Sequence, residues 1–444
     1  MNELPVISGA ALPHGEPTSP AHWVPVGVFL LCYALFVILP RRRSWIACGG
    51  AVLLMLTGAL TWREALLKHV NWNVTALFFG TLILAELFMQ SRMPAVLAER
   101  LVRRTRTILG AMLALCALTS FLSMFLENVA VVLIVAPIAL SLTQTLGLSP
   151  VRLLIAVAIC SNLQGTATLI GDPPSMILAG HMKLSFNDFF IYQGRLSIFF
   201  AVQAGAVASM LVLAWIMRRH HEPIQWPAVE SSRSFVPSAL LLILMGGLSV
   251  ASFFDPEFLW LAGTWTLVLA AIGLFWHRQV ARWGSARKLV QTLDWDTTFF
   301  LIGVFILVGA LSESGWLSRL ADLLATTVGG NRFAAFVSLV ALSVLLSGFV
   351  DNVPFLLAMI PVADQMAGRL SAPPALLLFG LLIGSCIGGN ITPIGASANV
   401  VTVGILRRQG HIVRFGEFMR IGIPFTIAAV LAACLVVWFV WSGA

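Results

Sequence analysis

Charge is what this chain has least of. Only 10% of its 444 residues are charged, against 59% hydrophobic, where a soluble domain carries about 25% charged residues. That shortage excludes an ordinary soluble protein and reads as an integral membrane protein. At roughly 20 residues per span plus connections, the length suits about ten spans. No nucleic-acid motif accompanies the net charge of +8. The Lys and Arg residues punctuate the ends of apolar runs, so the basicity reads as topology and no nucleic-acid partner is expected. Cysteine pairs are missing too: Cys32, Cys48, Cys116, Cys160, Cys386 and Cys434 form no CxxC and have no flanking His, which argues against a metal centre. Five read as small buried hydrophobes. Residues 1–22 hold no Lys or Arg, lack the basic start of a signal peptide, and read as a short disordered tail.

Apolar runs read as spans near 24–40, 44–62, 73–91, 196–217, 235–252, 257–276, 295–312 and 420–441. The stretches 108–147 and 333–367 each carry a polar tip and read as re-entrant hairpins of two half-length helices. The stretches 151–182 and 375–406 have Gly/Thr/Pro-rich centres and read as helices unwound at mid-membrane, tolerated only where protein or a water-filled cavity covers them. The expected fold is therefore an all-α integral membrane protein of ten transmembrane spans. Its repeats, 23–217 and 235–444, are joined by a linker at 218–234. Each repeat crosses five times, an odd number, so the second must be inverted. With both termini outside, 20 Lys and Arg residues fall on the cytoplasmic side and 7 outside, the expected bias. Trp23, Trp45, Trp62, Trp72, Trp295 and Trp441 sit at segment ends and read as an interfacial belt. His181, His220, His221 and His277 read as membrane-edge surface residues.

Ser123 to Gly171 aligns with Ser347 to Gly395 at an offset of 224 without a gap, with 17 identities in 49 positions. The identities include residues least welcome in apolar sequence: Asn128/Asn352, Ser161/Ser385, Thr168/Thr392, Pro137/Pro361 and Gly171/Gly395. Two copies of a polar, helix-breaking cassette suggest a transporter's binding site. Gly165, Gly171, Gly388, Gly389 and Gly395 permit the unwound turns, and Pro173, Pro174 and Pro393 stop the helix from re-forming through them. Substrate contacts are expected from Asn128, Asn352, Ser161, Asn162, Gly165, Thr166, Thr168, Cys386, Gly389, Asn390, Thr392 and Asn399. Glu127 and Asp351 occupy the two tips. A carboxylate at the bilayer centre costs about 2.5–3.5 kcal/mol, and such acids are usually functional, so proton or cation exchange is expected there. Each also suits a plain helix cap. Asp172 and Glu86 have no acidic counterpart in the other repeat; Asp172 fits an N-cap or a coupling site, Glu86 a second proton site or a satisfied polar residue.

The runs ENVAVVLIVAP and SNLQGTATLIGDPPSMI resemble the signature of the ion transporter superfamily. They come closest to the branch of arsenite permeases, NhaD-type sodium/proton antiporters and the pink-eyed-dilution protein. That resemblance implies a scaffold and a mobile transport part, a site between hairpin tips and broken helices, and dimerisation. It also leaves a place for a soluble arsenic ATPase as partner. Where the branch more often has Asp-Asn at the first tip, this chain has Glu127-Asn128. Two tip carboxylates, with no Arg or Lys in either cassette core, disfavour a dianion. The expected function is thus proton-coupled efflux of arsenite, or antimonite, across the bacterial cytoplasmic membrane, driven by the proton gradient with no bound cofactor. Sodium/proton antiport is the runner-up, followed by another anion carrier. An intramembrane aspartyl protease is disfavoured, since 169–172 reads Leu-Ile-Gly-Asp.

Overall fold

A computed structural model describes residues 23–39, 42–218 and 233–443. The expected N-terminal tail and nearly all of the 218–234 linker, with His220 and His221, lie outside the described residues. The described chain is almost entirely helical. The first half contains α1 (Trp23–Ile38), α2 (Arg43–Leu56), α3 (Trp72–Gln90), α4 (Met93–Arg103), α5 (Ile108–Ser123), α6 (Asn128–Thr145), α7 (Val151–Gly165), α8 (Pro173–Met182) and α9 (Ile198–Met217). The second contains α10 (Val236–Phe254), α11 (Leu261–Trp276), a short α12 (Ala286–Thr292), α13 (Trp295–Glu313), α14 (Trp316–Thr327), α15 (Arg332–Ser347), α16 (Asn352–Arg369), α17 (Pro374–Gly388), α18 (Ser397–Arg408) and α19 (Phe415–Trp441). Among the described residues, seven helices are long and apolar enough to cross a membrane (α3, α6, α9, α10, α13, α17 and α19), and α1, α2, α5, α7 and α15 are shorter apolar helices.

Helix starts repeat along with the cassettes. Asn71 caps α3 by accepting from Val74 N, and Asp294 caps α13 by accepting from Thr297 N. Thr107 and Asn331 do the same for α5 and α15. A capping side chain satisfies an amide the helix cannot, worth about 1 kcal/mol. The equivalence extends to glycines that let backbones approach. A Cβ on Gly80 of α3 would lie 2.6 Å from Thr266 of α11, and one on Gly303 of α13 would lie 2.7 Å from Ala47 of α2. Small residues at such crossings are how helices gain contact where lipid removes the hydrophobic drive.

Packing sorts the helices into two groups. Helices α1, α2, α3, α10, α11 and α13 pack mainly on one another. Helices α5 to α9 and α15 to α19 form the other group, in which α7 and α17 are buried except at Arg152 and Pro374 near their starts. Helices α3 and α13 meet the second group through α6, α8 and α16.

Three expectations need correcting. The hairpin arms are not half-length: α5 and α6 have 16 and 18 residues, as do α15 and α16. The turn between arms takes only four residues, so a 40-residue apolar run leaves each arm about 24–27 Å long at 1.5 Å per residue. Trp441 is buried against Tyr192 and Phe379 rather than placed in a belt, whereas Trp23, Trp45, Trp62 and Trp72 are exposed. Helices α4 and α14 were not anticipated. Their charged residues interrupt the apolar runs, and one face of each is apolar and buried.

Candidate functional site

Both cassettes are laced by the same side-chain bonds. Ser123 Oγ donates to Ser161 O at 2.7 Å, and Ser347 Oγ donates to Ser385 O. Thr168 Oγ1 donates to Met124 O, and Thr392 Oγ1 to Gly348 O. The Thr bonds tie a hairpin turn to the unwound centre beside it, and the Ser bonds tie the end of a hairpin's first arm to the helix leading into that centre. Burying a hydroxyl without a partner costs about 1–3 kcal/mol, so meeting a loop carbonyl this way satisfies both groups. A Cβ on Gly171 would lie 2.5 Å from Gly165 O, and one on Gly395 2.6 Å from Gly389 O. The backbone of the break folds back on itself there, leaving no room for a side chain. These glycines serve a close approach rather than a left-handed turn.

The second unwound centre also meets α7 of the first cassette. Asn162 Nδ2 donates to Asn390 Oδ1 at 2.8 Å and Asn399 Oδ1 at 3.0 Å. Asn390 Nδ2 donates to Ile159 O at 3.1 Å, and Asn399 Nδ2 to Gly389 O and Thr392 O, both at 3.0 Å. Three buried amides thereby join the repeats at their core.

Beside this junction lies a cavity of about 40 Å³ onto which four helix N-termini open. Its lining comes from residues 127–129 (α6), 172–173 (α8), 351–353 (α16) and 396–398 (α18), with Asn162, Arg43, Asp294 and Thr297. Glu127 accepts from Ala130 N at 3.0 Å and Asp351 from Val353 N at 3.1 Å, so both tip acids cap their helices. Asp172 stands at the N-cap position of α8 without a side-chain capping bond. It is buried, hydrogen-bonded to Asn128, and within electrostatic range of both tip acids.

Of the residues singled out in the sequence, the cavity gathers Glu127, Asn128, Asn162, Asp172, Pro173, Asp351 and Asn352. The others surround it. Ser161, Thr168 and Thr392 are occupied in the lacing; Thr166 Oγ1 donates to Asn162 O at 3.5 Å. Gly165 is covered by Asn128, whose Oδ1 would lie 2.5 Å from a Cβ there. Gly389, Asn390 and Asn399 belong to the junction, and Gly171, Pro174, Pro393 and Gly395 shape the breaks. Cys386 is buried beside Ser385 and does not line the cavity. Nor does Glu86: it accepts from Gln90 Nε2 at 2.8 Å, and Gln90 Oε1 is 3.0 Å from His277 Nε2. His277 is buried rather than a surface residue.

What sequence reasoning missed is the far wall. The cavity has a cation, contrary to the reading from the cassettes alone. Arg43, at the start of α2, donates to Asp351 Oδ2 at 2.8 Å, Asp296 Oδ2 at 3.1 Å and Thr297 Oγ1 at 2.7 Å. The hint was the Trp-flanked acid pair Asp294 and Asp296, opening an apolar span much as the basic run ending at Arg43 opens another. Four carboxylates (Glu127, Asp172, Asp294, Asp351) thus share the cavity wall with one guanidinium, which Asp296 pairs from behind. Four helix N-termini add about +0.5 charge each, which leaves the site acidic. Among the described residues, no group of three His, Cys, Asp or Glu side chains is arranged to hold a metal ion.

A second, larger cavity of about 750 Å³ lies further along α8 and α16, reaching Ile177 and Leu357. Lys68, His69, Asn71, His181 and Glu313 are in its wall. From Pro173 to Ile177, or Val353 to Leu357, is one helical turn, about 6 Å. The two cavities therefore follow one line along these helices, with a single turn of packed side chains between them.

Comparison with known proteins agrees with a transporter. The CitMHS family, described as "Citrate transporter", matches residues 33–367 and 284–443. An uncharacterized transporter of Mycobacterium tuberculosis is 29% identical over 429 residues, covering 94% of this chain and 97% of that protein. The human P protein is 27% identical over 485 residues, covering 89% of this chain and 57% of the P protein, which fits the pink-eyed-dilution part of the expected resemblance. Among solved structures, the Alcanivorax borkumensis YdaH transporter superposes with a TM-score of 0.60 at 16% identity, covering 95% and 98% of the two chains. Neisseria gonorrhoeae MtrF, of a class described as antimetabolite efflux pumps, superposes with a TM-score of 0.58 at 12% identity, covering 95% and 97%. Several apolar helices, a cavity built by two matching cassettes and relatives that are transporters lead to one conclusion: this chain is a multi-pass membrane protein of the CitMHS citrate transporter family, a transporter and not an enzyme.

Proposed function

We propose that this chain is a proton-coupled secondary transporter working by alternating access, with Glu127, Asp172 and Asp351 as the proton-exchanging groups. The observation that carries the reading is the convergence of these three intramembrane acids, from both cassettes, on one small cavity. Acids held at that depth are kept for ion or proton movement. We read the chain as ten spans in two inverted repeats, with both termini outside a bacterial cytoplasmic membrane; an odd number of crossings per repeat and the Lys/Arg bias support this. The two packing groups take the roles of scaffold and moving part, in a dimer.

The solute we propose first is arsenous acid, exported against inward proton movement, with antimonite accepted by the same hydroxyl chemistry. It is uncharged near neutral pH and offers hydroxyls to Asn128, Asn162, Asn352 and the carboxylates. A second reading has support of its own. The family description names citrate, and four helix N-termini around one cavity favour anions. Protonated tip acids would leave that positive field uncancelled, so a polycarboxylate would enter together with protons. Sodium exchanged for protons stands third.

Purified protein in liposomes with an imposed pH gradient separates these readings when arsenite, citrate and sodium fluxes are followed in parallel. The expected result is saturable arsenite flux that collapses when an ionophore removes the gradient. Proton-driven citrate flux without arsenite flux would replace the first solute with the second. Flux of any solute that ignores the gradient would overturn the coupling.

A further inference from the structure

Arg43 does more than line the cavity. Its guanidinium spans the boundary between the two packing groups. On its own side it holds Asp296 and Thr297 of α13 and lies over Phe300, 5.0 Å from the ring centre. Across the boundary it donates to Asp351 at the second tip and contacts Ser397 Oγ, at the start of α18, at 3.4 Å. The side chain of Arg43 is 19% exposed and that of Asp351 26%, so the pair is screened far less than a surface ion pair. At the start of α3 in the other repeat the matching side chain is uncharged, and the nearby carboxylate, Asp255, is taken up by Leu259, Trp260 and Leu261 N at the start of α11. Asn73, matching Asp296, binds only backbone, accepting from Gly263 N and donating to Phe258 O, each at 2.8 Å. Among the described residues Glu127 has no ion-pair partner of its own. The two tips are thus unequal: one is latched to the scaffold and one is free.

We propose that Arg43 is an internal counter-ion that latches the Asp351 tip to α2 and α13, and that a proton or a cationic solute taken up by Asp351 releases it. Arg43 and the incoming charge compete for the same carboxylate oxygens. Loading Asp351 cancels the charge that Arg43 holds, so the latch loosens as the site fills and the moving group stays fixed while it is empty. The other titratable groups facing this contact are Asp296 on α13, Asp294 at its N-cap, Tyr33 on α1, Glu127 at the opposite tip and Asp172 at the start of α8. Asp296 stays paired with Arg43 in either state, since both belong to the same group. The inference deepens the proposed coupling by assigning a positioning residue to it.

Hydrogen–deuterium exchange at residues 349–354, in detergent without solute or gradient, reads the latch directly. Arg43→Gln is expected to speed exchange there about tenfold, a factor within reach of losing a partly buried charge pair. Asp351→Asn should do the same, and the double variant no more, because both remove one contact. Arg43→Lys, which keeps the charge, should restore part of the protection, and this guards against a variant that merely misfolds. In wild type, after correction for the intrinsic rate, lowering the pH should raise exchange toward the Arg43→Gln level. Unchanged exchange in Arg43→Gln, or effects of the two variants that add, would overturn the latch. Neither readout needs transport, so absence of proton-driven flux with an intact exchange signature would refute the proposed coupling and leave the latch standing.

Discussion

Glu127→Gln is expected to abolish the proton-driven component of flux while leaving a folded, monodisperse protein. Glu127 is the tip acid without an ion-pair partner, so removing its charge exposes no orphaned cation. Its folded-state role is the bond from Ala130 N, and a weakened cap costs about 1 kcal/mol, too little to unfold the chain. Solute–solute exchange, which needs the moving group but no net proton transfer, should persist. The check is paired: gradient-driven accumulation and equal-concentration exchange in the same vesicles. Loss of both would make Glu127 a structural cap. Retention of both would remove it from the proton path. Asp351→Asn should also lose driven flux, but by freeing Arg43 it should add a leak that Glu127→Gln lacks.

Gly171→Ala and Gly395→Ala are expected to lower the melting temperature of the purified protein clearly below that of wild type. The new Cβ would face Gly165 O and Ser123 O at 2.5 and 2.8 Å in one repeat, and Gly389 O and Gly348 O at 2.6 and 2.8 Å in the other. Neither wall is a side chain that can swing aside. Both are backbone held by the Thr168 and Thr392 lacing. Overpacking of this kind costs about 1–3 kcal/mol or more. Gly246→Ala is the control: nothing lies within 4 Å of its added Cβ, and alanine is the better helix former by about 1 kcal/mol. Equal melting temperatures for all three would show that the breaks relax freely.

Much of this architecture was legible because a membrane makes sequence speak plainly. Apolar run length marks α3, α9, α10 and α13 to within a few residues, and polar residues inside such runs mark the breaks. The fixed offset of 224 also carries to the hairpin helix starts, so that Glu127 and Asp351 cap α6 and α16 alike. Two kinds of feature were hidden. Pairings across long separations leave no local signal: Arg43 and Asp351 are 308 residues apart, and nothing near Arg43 announces a tip acid. Roles inside the cassette were hidden as well. Ser161, Thr168 and Thr392 carry the polarity expected of solute contacts, yet their hydroxyls are engaged by backbone carbonyls. Composition cannot tell a residue that binds cargo from one that holds the binding loop in place. Helices α4 and α14 escaped because a half-apolar helix of 11 or 12 residues falls below the length that signals a span.

Transport through a single site requires that the two tips share one pocket. A protein carrying Glu127→Cys and Asp351→Cys, treated with the shortest bifunctional thiol reagent, tests this most directly by peptide mass spectrometry. The tips should join within one chain in high yield, and residual solute–solute exchange should stop until the bridge is cleaved. Two thiols labelled independently with no bridge, or a bridged protein that exchanges solute as before, would contradict a common site between the repeats.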